Sequence, residues 1–224
     1  MWLHFHGRRL HPSYKTGSRG EASGKGLANP TGFYGRGKIR VILLTTSRRP
    51  TRRIRTFCRD LVRAIPNVVR INRGKLSLDG IAERAMEFNA DRAIIVDRWR
   101  GGPGKITLFR NGPEGLIPVS PLMYISGIRL QREFEETKTK YIPLLTITAV
   151  QEKTTEVTKI AESLSNFLNI SMSSMDEAVS GYPVAMHISL NASRHIQITF
   201  ILLPETVEVG PRVTLSHVLW ETKK

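Results

Sequence analysis

The 224-residue sequence has one cysteine, Cys58, and no apolar run that approaches the roughly 18 residues needed to span a membrane. A lone cysteine excludes an internal disulfide framework and a multi-cysteine zinc site, and it is typical of a reducing compartment. No apolar segment follows the charges at Arg8 and Arg9, so the N-terminus lacks the pattern of a secretory signal. Together these absences predict a soluble intracellular protein.

Acidic residues are scarce in the first part of the chain. Residues 1–140 carry 28 Lys and Arg against 11 Asp and Glu, whereas residues 141–224 carry 6 against 8. The densest window, 36–75, has 13 basic residues and a single acid, Asp60. A solvated or ion-paired face is the alternative interpretation, but pairing needs acids that this window lacks. The asymmetry therefore predicts a one-sided surface for a polyanion, with nucleic acid as the favoured ligand.

Apolar periodicity predicts an α/β protein made of two similar halves. In residues 38–130 it indicates strands at 39–44, 68–71, 92–98, 105–110 and 116–130, and helices at 54–65 and 78–89. The inward residues predicted for the second helix are Leu78, Ile81, Ala82, Ala85 and Phe88. In residues 142–220 it indicates strands at 144–150, 184–190, 195–203 and 212–220, a helix at 157–168 and a remnant helix within 170–180. Both halves run from strand and helix to a three-stranded meander, which predicts a duplicated α/β unit.

Two further segments complete the predicted organisation. Residues 1–37 form a basic, Gly-rich stretch that is predicted to be a flexible tail. His4, His6 and His11 lie in this tail. Their metal-ligand-like spacing is interpreted as incidental, so no metal site is predicted there. The charged stretch 131–141 lacks periodicity and is predicted to link the halves.

The first helix carries a basic outward face. Its apolar stripe contains Cys58, which is interpreted as a packing residue and not as a nucleophile. The outward positions and the residues just before the helix are Arg48, Arg49, Arg52, Arg53, Arg55, Arg59 and Arg63.

No motif in the sequence requires an enzyme. Gly24–Lys25 and Gly104–Lys105 both lack the flanking residues of a phosphate-binding loop, and no nucleophile elbow or zinc-protease motif occurs. The sheet histidines His187, His195 and His217 are interpreted as structural, and Asp97 as the partner of Arg98 or Arg100. The sequence thus predicts no catalytic residue, metal, cofactor or small-molecule substrate.

Three separated segments, 43–75, 97–115 and 208–217, resemble the Brix-domain family of ribosome-biogenesis factors. The first matches the family pattern at Thr45, Thr46, Ser47, Arg48, Pro50, Thr51, Phe57, Asp60, Leu61, Pro66, Asn67, Arg70, Asn72, Arg73 and Gly74. The third matches at Gly210, Pro211, Arg212 and Leu215. The segment 110–115 departs from the family's His-Leu-Pro-x-Gly-Pro-Thr pattern, so the contact that this loop makes in relatives is not expected here.

The resemblance implies two halves, each similar to the anticodon-binding domain of class IIa aminoacyl-tRNA synthetases, related by a pseudo-twofold axis. It also implies rRNA binding during ribosome assembly without catalysis. The Thr-Thr-Ser-Arg and Asn-Arg-Gly motifs are similar to the small-subunit processing branch, which implies pre-rRNA and other assembly proteins as partners. The short chain resembles the compact archaeal form, which implies a cytoplasmic location without membrane contact.

The predicted RNA-binding residues combine the basic face, the turn after the second strand, the 98–100 hairpin and the C-terminal motif. They are Arg48, Arg49, Arg52, Arg53, Arg55, Arg59, Arg63, Asn72, Arg73, Lys75, Arg98, Trp99, Arg100 and Arg212. Trp99 has two interpretations, stacking on a base or packing on the sheet. Arg212 also has two, an ion pair with Glu208 or Glu205, which we favour, or an RNA contact.

Two alternative functions remain open from the sequence. The first is a free-standing tRNA-binding module, because the implied half-fold serves that role elsewhere. The second is a protein-interaction scaffold whose acidic second half docks a basic partner while RNA contact is secondary.

Overall fold

Within the residues that the computed structural model describes, 41–134, 145–149 and 155–220, ten strands form one sheet and four α-helices pack on it. The elements of the first half are β1 (Val41–Thr46), α1 (Arg52–Ala64), β2 (Val68–Arg70), α2 (Leu78–Glu87), β3 (Ala90–Trp99), β4 (Gly102–Gly112) and β5 (Gly115–Arg129). Those of the second half are β6 (Leu145–Ala149), α3 (Thr155–Leu168), α4 (Met175–Gly181), β7 (Val184–Leu190), β8 (Ile196–Leu202), β9 (Val207–Glu208) and β10 (Arg212–Leu219).

The strand order is β2-β1-β3-β4-β5-β10-β8-β7-β6, with β9 paired to β8. The pairs of β1 with β2 and β3, and of β6 with β7, are parallel, and the pairs from β3 to β7 along this order are antiparallel. In each half, a strand followed by a long helix pairs in parallel with the first strand of a meander. The antiparallel pair β5–β10 joins the two halves.

The two faces of the sheet are covered differently. One face carries α1 and α3 over a continuous core that includes Phe57, Met123 and Ile160. On the other face, α2 and α4 cover two smaller apolar clusters that are separate from each other. Because side chains alternate along a strand, the central strands present polar positions such as Lys105 on this second face. The sheet is thus apolar throughout on one face and partly open on the other.

The sequence explains why α1 forms where it does. Thr51 is the N-cap, and its Oγ1 accepts a hydrogen bond from the Ile54 amide at 3.4 Å. The predicted apolar stripe is buried, and Cys58 within it has no exposed surface. Burial raises the pKa of the Cys58 thiol to about 12, which keeps it protonated and unreactive, as the sequence predicted.

Two predicted inward residues of α2 are in fact on the surface. Leu78 is 43% exposed and Phe88 is 38% exposed, whereas Ile81, Ala82 and Ala85 are buried. The prediction was wrong at both ends because Leu78 is the first helical residue and Phe88 is the C-cap, outside the central turns that contact the sheet. The two-residue strand β9 was not predicted.

Several predicted features lie partly or wholly outside the described residues. These are the tail 1–37 with its three histidines, and residues 135–141 of the linker. The first four linker residues form a 3₁₀ turn, Gln131–Glu133, followed by the buried Phe134. No helix in the described part of the chain is long and apolar enough to cross a membrane.

Candidate nucleic-acid interface

The outward side of α1 forms what we call the arginine face: Arg52, Arg55, Arg59 and Arg63. All four side chains are exposed, on the side of the helix opposite the buried stripe. The first turn of α1 contains arginines and no acid. These first-turn arginines lie at the positive end of the helix dipole, where no carboxylate offsets their charge. This arrangement is unfavourable for the helix alone and favourable for an anion that binds there.

The single acid of the basic window does not neutralise this face. Asp60 is 4% exposed, and its carboxylate accepts a hydrogen bond from the Gln131 amide at 3.1 Å. Burial raises the pKa of Asp60, an effect that the Gln131 hydrogen bond and nearby arginines oppose. Asp60 also lines a groove of about 250 Å³ between α1 and the 3₁₀ turn, where the cations Arg52, Arg59, Arg63 and Arg132 outnumber it. The one acid is thus nearly buried and bonded to a backbone amide, while the arginines around it are exposed and in excess.

Arg53 differs from its neighbours because it is held within the protein. Its guanidinium pairs with Glu133 at 3.1 Å and donates to the Ile128 carbonyl at 3.0 Å. The Leu130 amide and Arg53 lower the pKa of Glu133. Arg53 therefore attaches α1 to the end of β5.

The residues predicted after β1 and β2 divide into exposed and internally bonded groups. Arg48, Arg49 and Lys75 are exposed. Arg73 donates to the carbonyls of Thr46 and Leu76, each at 3.3 Å, and burial lowers its pKa. The amide oxygen of Asn72 accepts from Arg70 at 2.7 Å. Arg73 and Asn72 thus order the loop that carries Lys75.

The β3–β4 hairpin presents Arg98, Trp99 and Arg100 to solvent. Trp99 is 67% exposed, so its alternative interpretation as a residue packed on the sheet is wrong. The Arg100 guanidinium lies 5.9 Å from the centre of the Trp99 ring. Close approach of the strands at this bulge requires glycine at position 104, where a Cβ would lie 2.0 Å from that of Trp99.

Two hydrogen bonds bring these groups to one edge of the sheet. The hydroxyl of Thr51 donates to the Gly101 carbonyl at 2.8 Å, which fixes the start of α1 against the hairpin. The bond from Arg73 to Thr46 fixes the loop after β2 against the end of β1. Since β2, β1 and β3 are parallel, their following loops share this edge. The arginine face and the hairpin therefore meet there.

Arg212 forms the ion pair that we favoured from the sequence. Its Nε donates to Glu208 Oε1 at 2.7 Å, and its Nη2 donates to the other carboxylate oxygen. The pair raises the pKa of Arg212. The Phe134 ring lies 5.7 Å from Arg212 Cζ, and Arg212 faces Arg129 across the β5–β10 pair.

The structure also assembles a row of side chains that the sequence did not predict as a site. In register across β3, β4, β5 and β10 lie Asp97, Lys105, Tyr124 and His217. With Ser47, Arg98 and Trp99 they line an open cleft of about 590 Å³, here called the hairpin cleft. No short-range motif indicates it, because four strands that are distant in sequence contribute to it.

The row corrects one sequence interpretation, the ion-pair partner of Asp97. Asp97 pairs with Lys105 at 3.4 Å instead of with Arg98 or Arg100, because neighbours along a strand point to opposite faces and cross-strand partners share a face. His217 is exposed and stacks on Tyr124, with ring centroids 4.2 Å apart and planes at 14°.

The other two sheet histidines are placed elsewhere. His187 is partly buried and its Nδ1 lies 3.0 Å from the Thr148 hydroxyl, as a structural histidine would. His195 is exposed beside the turn between β7 and β8.

No family model matches the chain, but the curated relatives found by sequence comparison share one description. A probable Brix domain-containing ribosomal biogenesis protein of Pyrococcus horikoshii is 40% identical over 93 residues, 42% of this chain and 41% of the relative. A protein of the same description from Methanopyrus kandleri is 31% identical over 134 residues, 59% of this chain and 68% of the relative. The chain thus aligns with about two fifths of the Pyrococcus protein and two thirds of the Methanopyrus one.

Solved structures show the same fold. The crystal structure of a probable ribosomal biogenesis protein from Aeropyrum pernix K1 matches with a TM-score of 0.64 and 27% identity, covering 79% of this chain and 95% of that one. Mil, an archaeal Imp4-like protein, matches with a TM-score of 0.56 and 19% identity, covering 80% and 99%. The mixed α/β sheet described above is the fold that these proteins share.

Proposed function

This chain belongs to the Brix-domain family of ribosomal biogenesis proteins, and we propose that it binds ribosomal RNA during ribosome assembly without catalysing a reaction. The observation that carries this proposal is the arginine face, which meets an exposed Trp99 hairpin at one edge of the sheet while Asp60 is nearly buried. Arginine suits phosphate because its planar guanidinium donates two parallel hydrogen bonds.

We also propose a ligand, partners and a cellular location for this protein. The ligand is the pre-rRNA of the small subunit, in company with other assembly proteins, and neither a membrane nor a small-molecule substrate takes part. The relatives compared above come from archaea, so the proposed location is the cytoplasm.

We further propose that the two halves are copies of an anticodon-binding-like unit related by a pseudo-twofold axis. The strand order supports this, because reading outward from the β5–β10 pair gives β4, β3 and β1 on one side, followed by the short edge strand β2, and β8, β7 and β6 on the other. Under this correspondence α1 and α3 share one face, and α2 and α4 share the opposite face.

A pair of charge-matched variants tests the arginine face. Arg55→Gln with Arg63→Gln removes two exposed charges from this face. Its control, Arg84→Gln with Arg194→Gln, removes two exposed charges from α2 and from the β7–β8 turn. For the first variant we expect the slope of log K against log salt to fall by about 0.7–0.9 for each phosphate that the protein no longer neutralises. Stability should change by about 0.5 kcal/mol or less, since the residues are on the surface.

The result that contradicts the proposal is equal behaviour of the two double variants in affinity and salt slope. Sequencing of RNA that co-purifies with the full chain provides the second test. Enrichment of small-subunit rRNA precursors supports the proposal, whereas enrichment of tRNA, or of no RNA, contradicts it.

A further inference from the structure

The hairpin cleft combines aromatic and cationic groups around one space. Its volume of about 590 Å³ is within the range of sites that hold small organic groups, about 300–1,000 Å³. It lies on the open face of the sheet, because Tyr124 follows the core residue Met123 and therefore points to the opposite side. The cleft contacts the hairpin that Thr51 fixes to the arginine face.

We propose that the hairpin cleft holds a single unstacked base of RNA, with Trp99 and the Tyr124–His217 pair as its stacking surfaces. This inference rests on the RNA-binding function proposed above and extends it from phosphate contact to base contact. It assigns the chain a preference for single-stranded or looped RNA over duplex RNA.

The stacking surfaces are the first support for this proposal. Trp99 has 67% of its surface exposed, so its ring is accessible to a ligand in the cleft. His217 already stacks on Tyr124 with nearly parallel planes, and the cleft is open beside this pair. Aromatic rings positioned this way bind bases of any sequence, because every base has a π-face.

The polar groups of the cleft are the second support. Lys105 lines it on the same face as Tyr124 and provides a cation for the phosphate of the same nucleotide. Asp97 pairs with Lys105 at 3.4 Å and holds its ammonium at the cleft. Ser47 also lines the cleft, and its hydroxyl oxygen is buried without a hydrogen-bond partner among the described residues.

A duplex does not fit this arrangement. A base paired inside an RNA helix exposes neither π-face, so the cleft gains stacking only from an unpaired nucleotide. The arginine face contacts phosphates of either kind of RNA. We therefore expect the cleft to favour single-stranded RNA, and the arginine face to bind single-stranded and duplex RNA alike.

The test compares a 12-nucleotide single strand with a 12-base-pair duplex on the full chain. Trp99→Leu keeps apolar bulk and removes the π-face, and Phe88→Leu is the control because Phe88 is an exposed aromatic residue on α2. We expect Trp99→Leu to bind the single strand roughly 10-fold more weakly, with unchanged duplex affinity and unchanged salt slope. We expect Phe88→Leu to behave as the wild type.

A second readout does not depend on the arginine face. Adenosine monophosphate should quench the tryptophan emission of a Trp220→Phe protein, and this quenching should disappear when Trp99→Leu is added. Tyr124→Leu should reduce quenching as well, because it removes the partner of His217.

The outcomes separate the two proposals. In one outcome, Arg55→Gln with Arg63→Gln weakens RNA binding, but Trp99→Leu changes the affinity for the single strand and for the duplex equally or not at all. The base site is then overturned and the proposed function stands. If the arginine variant has no effect on either RNA, the proposed function fails first, and the monophosphate titration decides the cleft by itself.

Discussion

Arg212→Lys is the substitution that best separates a structural arginine from an RNA ligand. The wild-type side chain makes two hydrogen bonds to Glu208 and lies 5.7 Å from the Phe134 ring. Lysine keeps the charge but has no planar fork, so it replaces one of these bonds at most. The substitution therefore removes the two-bond contact with Glu208 without changing the net charge of the protein.

The expected loss of stability follows from the exposure of the pair. A hydrogen bond to a fully buried charge contributes about 1.5–3 kcal/mol, and an exposed ion pair about 0–1 kcal/mol. The side chains of Arg212 and Glu208 are 31% and 22% exposed, which places the pair between these limits. We expect a loss of about 1 kcal/mol, or about 2–4 °C in melting temperature for a protein of this size.

The assay is thermal unfolding by circular dichroism, together with the salt dependence of RNA binding. Glu208→Gln and the double variant complete a cycle in which the two substitutions should be less than additive. RNA affinity and its salt slope should stay unchanged in all three proteins. Unaltered melting with a reduced salt slope would refute this reasoning and make Arg212 an RNA ligand.

Two further predictions concern the second half of the chain. Gly210→Ala should destabilise the protein by about 2–4 kcal/mol in urea unfolding, because Gly210 has φ of +69° and an added Cβ would lie 2.4 Å from the Phe134 ring. Gly112→Ala, which meets nothing within 4 Å, is the control and should change stability far less. His187 has its pKa lowered by burial, so the folded state resists its protonation and stability should fall as the pH drops below about 6.5. Between pH 7.5 and 5.5, His187→Gln should lose less stability than the wild type, whereas the exposed His195→Gln should lose as much as the wild type; equal losses in all three proteins would show that His187 is not responsible.

Much of the fold was predictable because its signals are local. The apolar run of β1 and the i, i+3, i+4 stripe of α1 mark their elements within a few residues. The order of strands and helices in the second half follows from the same periodicities. The burial of Leu78 and Phe88, at the two ends of α2, was wrongly predicted because periodicity does not show where the sheet beneath a helix ends.

Only the part of the candidate site that lies on one continuous segment of the chain was predictable from the sequence. The arginine face could be seen because one helix carries it, and residues on one helix keep a fixed geometry. The hairpin cleft could not, since its row depends on the register of three antiparallel pairs, with bulges near Asp97, Ile106 and Leu215. A shift of one residue in any of them would move Tyr124 or His217 to the other face.

The charges of α1 are placed unfavourably for the stability of the isolated helix. A helix selected for stability has acids in its first turn, yet α1 begins with Arg52 and Arg53 and has no acid there. Its one acid, Asp60, is buried and bonded to a backbone amide, with its pKa raised by that burial. Arg53 pairs with Glu133, and that contact fixes the helix to the sheet edge. The arginine face thus costs the isolated helix some stability, and a polyanion bound there, as proposed, would offset that cost by supplying negative charge beside these arginines.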